Sequence, residues 1–229
     1  KDLIPNGSSI LLSVSGGQDS MALLKLVADL KELHNWELNV WHGDHQWHDK
    51  SELIAQGLNE WCARNNIHIH ITKANRGEVT SEKLARDWRY NELNKTAAWI
   101  SSKNANHQCK YILTGHTGSD RAETFIMNLA RGSGLHGLGS LKESRVFKAN
   151  IFLVRPLLMF NRLETLEICN HLNLPIWIDP SNKDTNINRN KIREQVIPIL
   201  EEIHSGCSIR IAQLAEKISN SQEEKKAIE

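Results

Sequence analysis

The chain has 229 residues, 40% hydrophobic and 24% charged, with 28 Lys and Arg against 27 Asp and Glu for a formal charge of +1. That composition excludes a disordered, collagenous or coiled-coil protein, and no apolar run approaches the ~18 residues of a membrane-spanning helix. With a charge this close to zero, a nucleic acid partner has to be held by a local basic patch. The opening KDLIPNGSSI lacks the pattern of a secretory signal, which points to a cytoplasmic protein with no membrane association.

Short runs of Ile, Leu and Val alternate with stretches of helical period. Strands are predicted at about 9–14, 37–42, 67–72, 110–115 and 150–154, and helices near 19–33, 50–65, 81–103 and 120–131. This alternation predicts an α/β fold, a doubly wound five-stranded parallel sheet with helices on both faces. Ligands of such sheets bind beyond the carboxyl ends of the strands. After the fifth strand, Arg155-Pro156 breaks the chain, Asn161 with Glu164 offers a capping box for a helix at about 162–172, and further helices are expected near 188–203 and 208–228. Cys62, Cys109, Cys169 and Cys207 show no metal-site spacing and read as buried or half-buried thiols.

The first strand runs into Ser15-Gly16-Gly17-Gln18-Asp19-Ser20 at the start of an amphipathic helix. Two glycines there let backbone N–H groups turn inward and cradle phosphate oxygens, with Ser15 and Ser20 as hydroxyl donors. The other reading is a plain turn with Asp19 or Ser20 as N-cap. A carboxylate beside a polyphosphate repels it unless a cation lies between, so the phosphate reading of Asp19 brings Mg²⁺ with it.

The second strand ends in Asp44-His45 and the fourth in Gly115-His116, both at the mouth expected to hold nucleotide. Asp120 and Glu123 share one helical face and suit a small cation or an ammonium group, or equally an N-cap with its N3 partner. Arg86, Arg89 and Tyr90 suit a phosphate backbone and a stacked base, or a solvated face. Gly132 to Gly137 follows a helix rather than a strand and reads as a flexible lid beside Arg131. Arg189, Lys191 and Arg193 form a basic segment, with Arg189 and Arg193 on one helical face and Arg155 as a further candidate for the same partner.

The hexapeptide SGGQDS resembles the S-G-G-x-D-S signature of the N-type ATP pyrophosphatases, which implies adenylation with release of pyrophosphate. Further pieces extend the likeness to one group, the tRNA(Ile)-lysidine synthetases: Asp44-His45, SEKLARDWRY, GHTGSDRAETFIMNLARGSGLHGL, RPLL at 155–158 and DPSNKDTNINRNKIREQVIPIL at 179–200. The resemblance implies ATP and Mg²⁺ as cofactors, L-lysine and the isoleucine tRNA with anticodon CAU as partners, and lysidine at the wobble cytidine as product. It implies catalytic roles for Asp19, Asp120 and Arg193, and nucleotide contacts from Ser15 to Ser20, Asp44, His45, Gly115 and His116, with the metal on Asp19. Substrate contacts are implied for Asp120, Glu123, Arg86, Arg89, Arg131, Arg189, Lys191 and Arg193.

On the same grounds, residues 1–203 are expected to be the catalytic domain and 204–229 a helical extension, leading to further domains or belonging to a minimal form with weaker tRNA discrimination. The oligomeric state is left open, a homodimer being one option. The sequence departs from the common G-H-H-x-D-D-Q-x-E-T pattern at Thr117, Ser119 and Arg121, and Gln46-Trp47-His48 replaces the usual G-L-R. The alternatives are another N-type pyrophosphatase and a non-catalytic ATP-binding module.

Overall fold

Strand β1 (Ser9–Ser13) is buried on both faces, with Ile10 and Leu12 turned to one core and Leu11 to another, as the period of two along a strand requires. The structure is a computed structural model that describes residues 3–47, 51–103, 107–148, 150–177 and 188–228, without the side chains of 225–228. Around β1 lie β2 (Glu37–Asp44), β3 (His68–Lys73), β4 (Cys109–Thr114), β5 (Ser144–Lys148) and β6 (Ile151–Val154) in the order β3-β2-β1-β4-β6-β5. All neighbours are parallel except β5 and β6. The sheet therefore has six strands, not the five parallel ones expected. The added strand, SRVFK, is a short edge strand of mostly polar residues, and Asn150 at φ 62 lies in the turn that pairs it back onto β6.

Helices α1 (Gln18–Leu30), α2 (Ser51–Arg64) and α6 (Arg162–His171) cover one face, burying Met21, Leu24, Leu58 and Cys169 against Ile10 and Leu12. Helix α3 (Glu82–Lys103) covers the other with Leu93, Ala97 and Ile100. Helix α4 (Gly118–Ala130) follows β4, and a single turn, α5 (Leu135–Leu138), follows α4.

The C-terminal part begins with α7 (Asn188–Lys191), passes through a π-helical turn at Ile192–Val196 into α8 (Ile197–Ile203), and ends in α9 (Cys207–Ile228), which lies along α4 and α5. Gly139 sits so close to α9 that a Cβ there would meet the Ser219 backbone at 2.9 Å. The loop read as a lid is therefore seated. Asn128 Nδ2 donates to the Gly137 carbonyl at 2.8 Å, and none of Gly132 to Gly137 lines the cavity described below. The predicted capping box at α6 forms as expected: Asn161 Oδ1 accepts from Leu163 N–H (2.8 Å) and Glu164 N–H (3.0 Å), while Glu164 Oε2 accepts from Asn161 N–H (2.6 Å).

Candidate active site

An open cavity of about 380 Å³ lies beyond the carboxyl ends of β1, β2 and β4. Its floor is the loop from Ser15 to Ser20. Gly16 takes φ +89, a left-handed conformation natural to glycine, and a Cβ there would meet Ile54 Cγ2 at 2.9 Å. Helix α1 starts with Gly17 at its N-cap and no side-chain cap, so neither Asp19 nor Ser20 is spent as a cap. Instead Ser20 Oγ donates to the Gly17 carbonyl (2.9 Å) and accepts from Ser15 N–H (3.2 Å), drawing the loop into a tight ring. Trp177 N–H donates to the Gly16 carbonyl at 3.0 Å, and the Trp177 ring fills the space over Gly57. The motif residues 179–187 lie outside the described residues.

The two other strand ends close on this loop. At Gly115 a Cβ would meet the backbone of Asp19 and Ser20 at 3.0 Å, so only glycine lets the β4 end lie against the phosphate loop at this separation. Gly115 and His116 both line the cavity. His116 Nδ1 is 2.8 Å from Thr114 Oγ1, and burial, reinforced by the neighbouring arginines 155, 189 and 89, pushes the imidazole down to about 3, so it is neutral near pH 7. Asp44 is buried, with Oδ1 accepting from Gln46 N–H at 2.8 Å, and the His45 ring packs at a tilt against Trp47 and edge-on against Trp88, at centroid distances of 5.2 and 4.9 Å. Both residues line the cavity beside Trp41 and Trp47. The β2 end is thus an aromatic wall, which the sequence reading did not foresee.

Asp120 and Glu123 are brought together as predicted; Asp120 lines the cavity and Glu123 lies behind it, and both are already engaged by arginines. Arg189 Nη2 donates to Asp120 Oδ1 at 2.7 Å and Arg189 Nε to Glu123 Oε2 at 2.8 Å, while Arg193 Nε donates to Glu123 Oε1 at 2.6 Å and Arg193 Nη2 to Glu123 Oε2 at 2.8 Å. Glu123 is only 1% exposed and the Arg189 and Arg193 side chains 21% and 18%, so two carboxylates and two guanidinium groups form a mostly buried, electroneutral cluster. The helix cap falls one turn earlier than read from spacing. Thr117 is the N-cap of α4 and Asp120 its N3 partner, with Asp120 Oδ2 accepting from Thr117 N–H at 2.8 Å. Burial alone would raise the Asp120 carboxyl, but Arg189, His116 and the Thr117 N–H bring it down to about 2.

The departures at 117, 119 and 121 each have a structural use. Thr117 caps α4, Ser119 Oγ accepts from Arg162 N–H at 3.0 Å, and Arg121 Nε donates to the Leu141 carbonyl at 3.2 Å with Nη1 3.4 Å from Glu216 of α9. Arg121 thereby fastens the C-terminal helix to α4.

Arg86 and Arg89 line the cavity on the α3 side, both about 5.5 Å from the centroid of the Tyr90 ring. Arg145 lies 5.9 Å from the same ring. Burial would raise the Tyr90 phenol, yet arginines 89, 86, 155 and 145 bring it below its usual value. Arg155 is 2% exposed, donates from Nη1 to the Lys142 carbonyl at 2.6 Å and hydrogen-bonds to Tyr90, so it does not reach a surface partner, contrary to expectation. Lys191 and Arg131 are exposed and stand outside the cavity, so of the basic segment only Arg189 and Arg193 belong to it.

Asp19 is the carboxylate at the phosphate loop. Its Oδ1 accepts from Thr165 Oγ1 at 2.5 Å, and Oδ2 lies 4.0 Å from Arg162 Nη1. Burial raises this carboxyl, with Thr165 and Arg162 opposing. Magnesium uses one or two protein carboxylates together with phosphate oxygens, and a single carboxylate with one oxygen turned to the cavity fits that demand. Among the described residues no group of three or more His, Cys, Asp or Glu is placed to hold a metal, and Cys62, Cys109 and Cys169 are buried on α2, β4 and α6. No helix of the described residues is long and apolar enough to cross a membrane.

A glycine-rich loop leading from the central strand into α1, under converging charged side chains, defines an α/β enzyme that works on a nucleotide polyphosphate. Residues 2–200 match the PP-loop domain family. The tRNA(Ile)-lysidine synthase of Prochlorococcus marinus strain NATL1A is 56% identical over 226 residues, 99% of this chain and 69% of that protein. Its counterpart in Nostoc sp. is 40% identical over 217 residues, 94% of this chain and 61% of that protein. The U34-tRNA thiolase of Methanococcus maripaludis shares the fold, with TM-score 0.73 at 19% identity over 96% of this chain and 74% of that one. The chain belongs to the ATP-using PP-loop domain family and, within it, to the tRNA(Ile)-lysidine synthases. It spans about two thirds of the length of the Prochlorococcus relatives it matches.

Proposed function

We propose that this chain carries the catalytic machinery of an ATP-dependent ligase, acting in the cytoplasm. It joins the side-chain amine of L-lysine to C2 of the wobble cytidine in the isoleucine tRNA with anticodon CAU. The observation that carries this reading is the 56% identity to a named tRNA(Ile)-lysidine synthase across nearly the whole chain. The cavity supplies what the chemistry asks for. The loop from Ser15 to Ser20 offers backbone N–H groups and hydroxyls to the triphosphate. The C2 oxygen of the cytidine attacks the α-phosphorus, the bond to the β-phosphate breaks, and its electron pair leaves with pyrophosphate. Lysine's neutral amine then attacks C2, the C2–O bond breaks, and AMP departs while the amine gives up a proton.

In this reading Asp19 holds Mg²⁺, which supplies charge neutralisation of the polyphosphate when bound. His116, neutral near pH 7, adds no charge beside the reacting base. Asp120 and Glu123 receive the lysine side chain, which requires a guanidinium of Arg189 or Arg193 to yield one carboxylate oxygen. The arginine released from its carboxylate becomes available to the phosphate of the adenylated tRNA. A wobble base has to leave the anticodon stack to react, and Arg86 and Arg89, which line the cavity with Tyr90 behind them, suit its phosphate.

The test is incorporation of labelled lysine into transcribed isoleucine tRNA with anticodon CAU, in parallel with methionine tRNA sharing that anticodon. Label in the isoleucine tRNA that depends on ATP supports the reading. ATP consumption without lysine transfer to it sinks the acceptor assignment.

A further inference from the structure

Helix α6 lines the cavity with a charged side chain, Arg162, that the sequence motifs leave unassigned. Its first turn is fixed from several sides. Asn161 and Glu164 cap it, Ser119 Oγ accepts the Arg162 N–H at 3.0 Å, and Gln18 Nε2 donates to the Arg162 carbonyl at 2.7 Å. Two side chains of this turn address Asp19, 146 residues away in sequence from Thr165.

Thr165 is completely buried. Its Oγ1 accepts from Gln18 Nε2 at 3.2 Å and lies 2.5 Å from Asp19 Oδ1 and 3.0 Å from the Arg162 carbonyl. A hydroxyl has one proton, and the shorter, charge-assisted contact to the carboxylate takes it. One oxygen of Asp19 is thus pinned and the other is turned to the cavity. Arg162 lines the cavity with a third of its side chain exposed, and its Nη1 is 4.0 Å from Asp19 Oδ2, beyond hydrogen-bond reach. Arg189 and Arg193 already hydrogen-bond to carboxylates, and Arg86 and Arg89 gather round Tyr90 on the α3 side. Arg162 is therefore a guanidinium that lines the cavity beside the phosphate loop, close to Asp19 without being hydrogen-bonded to it.

We propose that the first turn of α6 completes the nucleotide site: Arg162 binds the terminal phosphates of a nucleoside triphosphate and the pyrophosphate released from it, and Thr165 is a positioning residue that fixes the Asp19 carboxylate. This rests on the nucleotide reading of the same cavity. A planar, permanently charged fork suits a group that gains charge as it leaves. A carboxylate held in one rotamer by a buried hydroxyl keeps its free oxygen aimed at the cation that would lie between it and the phosphates. Because the same turn hydrogen-bonds Ser119, ahead of Asp120 in α4, it also ties the phosphate loop to the acidic cluster.

The experiment is calorimetric binding of ATP, AMP and pyrophosphate to the whole chain in magnesium buffer. Arg162→Gln is expected to weaken ATP and pyrophosphate about tenfold or more while leaving AMP within roughly twofold. Equal binding of all three by this variant and the unmodified chain overturns the assignment, as does a loss that includes AMP to the same degree. Thr165→Val keeps the packing and removes the hydroxyl; Thr165→Ser keeps the hydroxyl and loses a methyl. Weakened ATP binding in the first and near-normal binding in the second supports the positioning role. The reverse order makes Thr165 a packing residue and overturns it. An unmodified chain that binds neither ATP nor pyrophosphate removes the nucleotide reading itself, which separates that failure from a failure confined to Arg162 and Thr165.

Discussion

The cluster of Asp120, Glu123, Arg189 and Arg193 can be tested as a structural unit before any catalysis is assayed. Glu123 receives hydrogen bonds from Arg189 Nε, Arg193 Nε and Arg193 Nη2 at 2.8, 2.6 and 2.8 Å, and it is 1% exposed. In Glu123→Gln the carboxamide has one oxygen to accept with, and its NH₂ is set against guanidinium donors. At least one buried donor loses its acceptor, and two positive charges face one remaining carboxylate. Removing one member of a buried ion pair costs about 3–5 kcal/mol. The side chains of Arg189 and Arg193 remain 21% and 18% exposed, which admits some water and places the expectation at the lower end, about 3 kcal/mol. Arg193→Met leaves Arg189 to neutralise the cluster and should cost about 2 kcal/mol. Because the two residues share hydrogen bonds, the double variant should lose less than the sum, with a coupling of about 1–3 kcal/mol. Urea denaturation followed by circular dichroism measures all four proteins. Losses that add to within about 0.5 kcal/mol would refute the claim that these side chains act as one cluster.

The remaining predictions concern pH, the loop and the metal. His116 is held near 3 and Asp120 near 2, both below their ordinary values of 6.5 and 3.8, so the unfolded chain binds more protons than the folded one as acid is added. Stability should therefore be full above pH 6.5, fall through the interval from 6.5 to 3 on account of His116 and fall further below 3.8 on account of Asp120; a flat stability profile between pH 7 and 4 contradicts the His116 assignment, and no steepening below 3.8 contradicts that of Asp120. Gly16→Ala has to place a Cβ at φ +89 and 2.9 Å from Ile54 Cγ2, and should cost about 1–3 kcal/mol and weaken ATP binding; a variant as stable as the parent in thermal unfolding refutes the strain argument. Asp19→Ala should abolish pyrophosphate release and leave the circular dichroism spectrum unchanged, and retained release removes Asp19 from the mechanism.

Much of this architecture was legible in the chain because its signals are local. Alternating apolar runs marked five of the six strands, and Asn161 with Glu164 marked the start of α6. SGGQDS, whose glycines permit a turn that few other residues allow, marked the floor of the site. Strand β5 was missed because an edge strand of mostly polar residues carries no hydrophobic run, and its identity comes from pairing with β6. The partners of Asp120 and Glu123 were out of reach for a related reason. Spacing placed the carboxylates on one face and the arginines on another helix, but the hydrogen bonds joining them span 66 to 70 residues of chain. Arg155 read as a candidate for a phosphate partner because nothing local shows that it is buried beside Tyr90. Arg162 and Thr165 went unnoticed for the same reason, since their link to Asp19 is made only by the docking of α6 against α1.

The central claim is that this cavity spends ATP on a tRNA base and then hands that base to lysine. Pyrophosphate release from ATP, measured with isoleucine tRNA of anticodon CAU and lysine each present or omitted, addresses it most directly. The account predicts release that requires the tRNA and proceeds to AMP and lysine-bearing tRNA when lysine is added. Release that is indifferent to the tRNA, or its absence under every combination, would contradict it.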